Sequence, residues 1–524
     1  MNLGALLHIA HLLVPDHPAA IDHANSLGDY RTTTYAELWN EAAVLAGHLA
    51  GRELPPGTRI GVLGTNSSRI VSAIFGVAAA GHVSVPLNFR ATSDELAHLL
   101  SDADPALVLA ETRYVDVLSA VAAPGLEIIP LDVDFSDYRA ALGNPDPAQE
   151  IADVDDSAVA VLLYTSGTSS KPKGVKITHG SLTRYAMETN DGPDGTNTDV
   201  MLVSAPLSHV AALTSVSNSL YTGRTLVLIP QFDVDLWLDA VEAHSATHSF
   251  LVPTMLHRLI EAPRITAANL SSLRVLTYGA APMPPTVIRR AIELLPHDID
   301  FVGAYGQTET TSTVAVLDAD DHRMEGSDEE ITRKWERLGS VGRILPDVKI
   351  RIVDRLGGDL PASEVGEVLL HTYRTMVGYW GSAGSSRITV DGDGWVHTGD
   401  LGRLDADGYL YLHGRRGDMI IRGGENVVPE EIEHVLMRHK SVLDAGVVGV
   451  QDEDFGEAIF AAVVLRPNVD VEPEELTALL EQHMRSLPSY KRPTEYLFVS
   501  ELPRTATGKL LRRTLPHLRA RSIE

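Results

Sequence analysis

The chain has 524 residues, of which 44% are apolar and 22% charged, so it is too long for a single hydrophobic core and too apolar for wholesale disorder. Acidic residues outnumber basic ones by 70 to 43, and the formal net charge of −27 argues against sequence-independent binding to nucleic acid. Cysteine is absent, which excludes disulfides, thiolate nucleophiles and cysteine-ligated metals and fits a reducing, cytoplasmic setting.

Residues 3–13 read as an amphipathic helix stopped by Pro15, with neither the basic start nor the cleavage pattern of a signal peptide. The apolar runs at 59–64, 106–110, 158–164 and 225–230 read as buried strands, and helical-period segments separate many of them. That alternation predicts an α/β architecture with mainly parallel sheets. Residues 70–87, broken by Gly81, His82 and Pro86, are too short to span a bilayer and fit a buried helix running into a buried strand. His244 and His248 have ligand-like spacing, but their segment passes from helix to strand and no metal site is expected there. The acidic stretch at 318–337 reads as a solvated loop and helix face. From Leu369 the chain turns to short Gly- and Asp-rich strands of a more antiparallel kind, and after Gly424 it reads as a small α+β domain: helix, strand, strand, helix.

One stretch, YTSGTSSKPKG at 164–174, is too polar for a core element. Its hydroxyls, its backbone N–H groups and the cations Lys171 and Lys173 suit a phosphate-gripping loop. It is not a Walker loop, because no Gly-Lys-Ser/Thr ending occurs. The chain also carries YGAAPMPP at 278–285, AYGQTET at 304–310, HTGD at 397–400, GRRGDMIIRGGENVVPEEIE at 414–433 and PRTATGKLLRR at 503–513.

In this order and at these separations the motifs resemble those of the adenylate-forming superfamily, which includes acyl- and aryl-CoA synthetases, and the resemblance covers nearly the whole chain. It implies a large N-terminal domain, residues 1–416, of mainly parallel sheets plus a β-barrel-like subdomain. A small mobile α+β domain, residues 417–524, would follow.

The resemblance assigns Thr165, Ser166, Gly167, Thr168 and Lys173 to the phosphates of ATP, and Gly279, Ala280, Ala281, Tyr305 and Gly306 to the nucleotide and the adenine slot. Asp400 would accept the ribose hydroxyls, with Arg415 as its partner. Glu309 would help hold Mg²⁺, Thr308 would contact the α-phosphate, and Lys509 would reach from the small domain onto the reacting carboxylate. The acyl pocket would be lined by His209, Val210, Ala211, Phe250, Gly279, Ala304, Gly306 and Thr311, with His209 positioned by its ring rather than acting as a certain acid or base. None of these is a Lys, Arg, Asp or Glu, so an acid carrying an uncharged chain or ring of moderate bulk is expected rather than acetate or a second carboxylate, and a larger side chain at Gly306 is expected to exclude bulky acids. Gly423, Gly424, Phe455, Tyr490 and Arg492 would meet coenzyme A after rotation about Arg416, Gly417 and Asp418.

Two departures from the family pattern stand out. Ser169-Ser170 replaces the common Thr-Gly, and Gly417 stands where Asp or Lys is frequent. The implied function is an ATP- and Mg²⁺-dependent ligase that activates a carboxylic acid and transfers it to coenzyme A. The alternatives are transfer to a carrier protein or another nucleophile, and a non-catalytic nucleotide-binding module. No nucleic-acid partner and no membrane insertion are expected, and a homodimer is left open.

Overall fold

Helix starts in the computed structural model, which describes residues 1–23, 30–165, 172–381, 389–452, 454–467, 469, 471–504 and 510–523, follow the local chemistry of the chain. Thr34 with Glu37, Thr92 with Glu95 and Ser327 with Glu330 form reciprocal capping boxes at the starts of Tyr35–Ala50, Ser93–Ala103 and Asp328–Arg337. Each box pairs backbone N–H groups that a helix start leaves without partners. Proline sits in the first turn of Pro253–Ile260, Pro285–Leu294, Pro429–Leu436 and Pro473–His483, where its missing N–H costs no bond.

Two large sheets dominate the chain up to Ile344. In the first, the strands lie in the order Glu127–Pro130, Leu107–Ala110, Arg59–Leu63, Val83–Leu87, Val159–Thr165 and Lys173–Thr178. All neighbours are parallel except the last two, which form an antiparallel hairpin. The second sheet has nine strands. Its parallel centre runs Asp300–Gln307, Val275–Gly279, His248–Leu251, Val200–Val203, Thr225–Leu228 and Pro18–His23. Antiparallel edges are added by Ser312–Leu317 and Arg343–Ile344 on one side and by Tyr30–Thr34 on the other. Helix Ser68–Ala79 is buried at every residue and leads into the buried strand Val83–Leu87, as the run at 70–87 suggests. Among the described residues no helix is long and apolar enough to cross a membrane.

The antiparallel region begins earlier than Leu369, at strand Lys349–Val353, which pairs with Gly366–His371, then Val396–Leu404, then Leu410–Arg415. The end strands of this meander do not pair with each other among the described residues, so it is an open four-stranded sheet and the barrel-like closure is not seen. A bridge between Arg343 and Tyr409 joins it to the nine-stranded sheet.

The acidic stretch also differs from expectation. Asp321 and His322 are buried rather than solvated. Both Asp321 carboxylate oxygens accept from the Tyr409 hydroxyl, at 2.9 and 3.0 Å, while His322 Nδ1 donates to the Asp318 carbonyl at 2.7 Å and Nε2 accepts from the Tyr278 hydroxyl at 2.8 Å. Burial pushes the His322 pKa down to about 4, which keeps the ring neutral for those two bonds.

The small α+β domain has its own core, with Ile432, Leu436, Val447, Ile459, Leu476 and Leu480 packed between its helices and sheet. Its sheet pairs Val442–Asp452 with Gly456–Leu465, and Glu495–Val499 adds to the latter in parallel.

Asn66 ties the two large sheets together. Its Nδ2 donates to the carbonyls of Ala205 (3.0 Å) and Ile229 (3.2 Å), and its Oδ1 accepts from the Leu207 N–H (3.1 Å). Asn66→Ala leaves three buried backbone groups without partners, an expected loss of about 2–4 kcal/mol. A lowered urea midpoint checks this, and a midpoint equal to the parent's contradicts it.

Candidate active site

Strands Val200–Val203, His248–Leu251, Val275–Gly279 and Asp300–Gln307 are parallel, so the turns after them gather at one edge of the sheet. Ligands of open α/β sheets bind at such carboxyl edges. The backbone there is tightly packed. A Cβ on Gly279 would lie 2.2 Å from the Ala304 carbonyl oxygen, and one on Gly306 would lie 1.9 Å from the Ser312 carbonyl oxygen. Gly306 sits where the register with Ser312–Leu317 shifts, and Thr311 and Ser312 follow with φ of 49° and 86°. Thr311 is fully buried and donates its hydroxyl to the Arg374 carbonyl at 2.7 Å. Gly306 is therefore required by the backbone opposite it, and a larger residue there reports on folding before it reports on substrate choice. Ala280 is exposed with φ of 67°, and Ala281 is half-buried beside it.

Asp400 is 6% exposed and lies opposite Arg415 on neighbouring antiparallel strands. Arg415 Nε approaches Asp400 Oδ1 at 3.0 Å, and the Tyr305 hydroxyl donates to Oδ2 at 2.7 Å. A buried carboxylate needs such partners. Burial works against the Arg415 charge, but Asp400, Glu309 and Tyr305 together hold its pKa above the ordinary value. Burial and then Asp400 push the Tyr305 phenol far up, so it stays a donor. A carboxylate offers about four lone-pair sites, and two of those on Asp400 are in use, which leaves acceptors for a diol.

Glu309 lies in a single 3₁₀ turn, Thr308–Thr310, directly after strand Asp300–Gln307. Its Oε1 accepts from the Tyr379 hydroxyl at 2.8 Å, and its carbonyl accepts from the Met376 N–H at 2.9 Å. Tyr379 arrives there because the segment before Trp380 adds to the edge of strand Lys173–Thr178, through Lys176 with Gly378 and Val377 and a Val175–Tyr379 bridge. Lys173 Nζ lies 5.2 Å from the centre of the Tyr379 ring. Three segments distant in sequence thus place a carboxylate, a phenol and an ammonium together. Tyr379 was not anticipated from sequence; the aromatic, glycine-flanked run VGYW was its only signal. Thr165 closes the hairpin opposite Lys173. Ser166, Gly167, Thr168 and Lys171 lie outside the described residues, as does Lys509.

His209 immediately precedes helix Val210–Tyr221, and Val210 and Ala211 form its half-buried first turn. The buried His209 Nε2 has no hydrogen-bond partner. Burial, assisted by Arg90, pushes its pKa down to about 4. Phe250 is buried and, with Met201, Ala212 and Ser215, lines a cavity of about 10 Å³, room for about one water.

The residues expected to meet coenzyme A stand on the small domain. Gly423 and Gly424 are both exposed, and Phe455 and Tyr490 are 52% and 37% exposed. Arg492 Nε donates to the Leu487 carbonyl at 2.8 Å and Nη2 to that of Arg485 at 3.3 Å, so its guanidinium caps a helix end. At the expected hinge, residues 416–418 form a turn. Arg416 is bonded to Glu367 at 2.8 Å and Asp418 approaches Arg512 at 3.6 Å.

The His209 imidazole is expected to titrate with a midpoint near 4, because a folded-state pKa below the unfolded value means that the ring stays neutral until well under pH 6.5. Histidine NMR signals assigned by comparison with His209→Gln check this, and a midpoint near 6.5 contradicts it. Since the unfolded chain binds that proton more readily, this residue's contribution to stability is complete above pH 6.5 and falls as pH drops from there toward 4.

Residues 12–380 match the family model described as AMP-binding enzyme, and residues 431–509 match AMP-binding enzyme C-terminal domain. The chain is 34% identical to a fatty acid–[acyl-carrier-protein] ligase of Streptomyces coeruleorubidus, over 93% of this chain and 91% of that one. It is also 34% identical to a feruloyl-CoA synthase of an Amycolatopsis species, over 95% of both. The o-succinylbenzoate CoA synthetase of Bacillus subtilis, solved with its acyl-adenylate intermediate, superposes with a TM-score of 0.82 at 29% identity over 97% of both chains. With a matched model spanning most of its length and the buried Asp400 cluster at the carboxyl edge of its central sheet, the chain belongs to the AMP-binding enzyme family.

Proposed function

We propose that the chain transfers the acyl group of a carboxylic acid, whose chain or ring is otherwise uncharged and of moderate bulk, to the thiol of coenzyme A. The first half of that reaction follows from the family: the chain activates a carboxylic acid with ATP to an acyl-adenylate. The buried Asp400, held between Tyr305 and Arg415 with acceptors to spare, is the observation that carries the assignment to this edge. It would take the ribose hydroxyls and so set the distance from the sugar to the α-phosphate.

One carboxylate oxygen of the acid attacks the α-phosphorus, the bond from that phosphorus to the β-bridging oxygen breaks, and pyrophosphate leaves. Positive charge placed along this line lowers the barrier, because negative charge spreads over the leaving group. Lys173, and Lys509 by the motif it occupies, would supply it. Glu309 fits magnesium, since the ion uses one or two carboxylates together with substrate phosphates, and no cluster of three or more acidic or histidine ligands exists among the described residues. When bound, the ion neutralises phosphate charge. Tyr379 holds the Glu309 carboxylate in place for that task. In the second half the thiol sulfur attacks the acyl carbon, the thiol proton passes to solvent and AMP departs.

The neutral His209 and the uncharged residues around Phe250 support an acid without a second charge. Likeness to a fatty acid–[acyl-carrier-protein] ligase favours, as the second reading, a pantetheine thiol on a carrier protein. A panel of short, long and aromatic acids tests the first half by pyrophosphate release, and consumption of free coenzyme A with thioester appearance tests the acceptor. Pyrophosphate release without coenzyme A consumption sinks the acceptor assignment alone.

Lys509→Ala is expected to slow acyl-adenylate formation by about 10²–10³-fold while leaving thioester formation from supplied acyl-adenylate within about twofold. Equal losses in both half-reactions contradict the assigned role. Tyr379→Phe is expected to lower the apparent affinity for Mg²⁺–ATP by about three- to tenfold through a less restrained Glu309, with turnover at saturation nearly kept. A fall in turnover at unchanged affinity contradicts it.

A further inference from the structure

We infer that helix Pro253–Ile260, with the adjoining Glu261, and the small domain form a charge clasp that holds the arrangement used for acyl-adenylate formation. This rests on the reading of Lys509 given above. Across the two domains, Arg466 Nη1 reaches Glu261 Oε2 at 3.4 Å. Beside that pair, Asp444 accepts two bonds from Arg504, at 2.8 and 2.6 Å. His257, one turn before Glu261, has both ring nitrogens buried without a hydrogen-bond partner, and it lies within electrostatic reach of Glu261, Asp444, Arg466 and Arg504. Residues from both domains therefore meet in one cluster of alternating charge.

The cluster's position gives it a role. Arg504 pairs with Leu510, and the Leu511 N–H donates to the Pro503 carbonyl at 2.9 Å, so Arg504 stands at the root of the segment that carries Lys509. The clasp thus grips the small domain at its lysine end. The residues expected to serve the second step, Gly424, Phe455 and Tyr490 among them, are exposed at the same time. Glu261 and Arg466 are 47% and 37% exposed, and ion pairs of that exposure are weak. A weak bond suits a contact that opens and closes in each catalytic cycle, because a small bias in a two-state equilibrium shifts its populations several-fold.

Charge reversal separates the clasp from a merely structural pair. Glu261→Arg and Arg466→Glu are each expected to slow acyl-adenylate formation about three- to tenfold and to leave thioester formation from supplied acyl-adenylate unchanged or faster, and the double swap is expected to recover most of the loss. Equal losses in both halves, or no recovery in the double variant, overturn the proposal. A second measurement is independent of turnover. Since the chain has no cysteine, Glu261→Cys with Arg466→Cys creates a unique pair, and a short bis-maleimide is expected to link them in high yield with ATP present. The linked protein should retain pyrophosphate release and lose thioester formation. Absence of the cross-link in folded protein overturns the clasp, whereas efficient linking in a protein that releases no pyrophosphate with any acid keeps the clasp and refutes the catalytic reading.

Discussion

A carboxylate taken out of water must be paired, and most of the arrangement around the candidate site depends on how Asp400 meets that demand. Its partners come from different sheets. Tyr305 stands near the carboxyl end of a strand in the nine-stranded sheet, and Arg415 faces Asp400 across the antiparallel meander. The Asp400 N–H is itself satisfied by the Thr398 hydroxyl, which donates onward to the Val368 carbonyl, so the residue is fixed at its backbone as well as at its carboxylate. Pairing this charge therefore attaches the meander to the edge where ligands bind. It also places the buried Arg415–Asp400 pair directly before the turn at 416–418, so the residue proposed to meet the nucleotide and the turn proposed to move are adjacent in the chain.

The α/β architecture was legible because parallel strands are covered on both faces and read as short apolar runs. The runs at 106–110 and 225–230 are such strands, every residue of Leu107–Ala110 and Thr225–Leu228 being buried. Part of the motif set was legible for a related reason, since Glu309 follows directly on strand Asp300–Gln307 and Thr165 ends strand Val159–Thr165, so a strand carries each of them to an edge. What did not show was contact between distant segments. Tyr409 meets Asp321 from 88 positions away and Tyr278 meets His322 from 44, so an acidic stretch that is polar by composition becomes partly core by partnership. Asn66 gives no local signal either, because its three bonds reach residues more than a hundred positions away.

Gly306 shows a different kind of limit. A glycine beside a ligand edge can be small to admit a substrate or small to admit its own neighbouring backbone, and sequence does not distinguish the two. Here the Ser312 carbonyl lies where a side chain would begin. The same holds for Gly279 against Ala304. The small residues of this edge bring strands together, so in the proposed reading discrimination among acids would fall to the side chains around Phe250 and to the helix start after His209.

The turn at 416–418 divides its charges between the meander and the small domain. Arg416 is bonded back to Glu367 in the meander, whereas Asp418 faces Arg512, which is in turn held by Glu430, Glu433 and the Val447 carbonyl inside the small domain. Gly417 lies between them without a side chain to commit to either. Gly417 adds no charge at this position, and the acidic group one residue onward is paired within the small domain. Rotation about Gly417 would then leave both flanking ion pairs intact. The electrostatic work of changing conformation would fall instead on the exposed contact at Glu261 and Arg466, where water screens the charges and the cost of separating them is low.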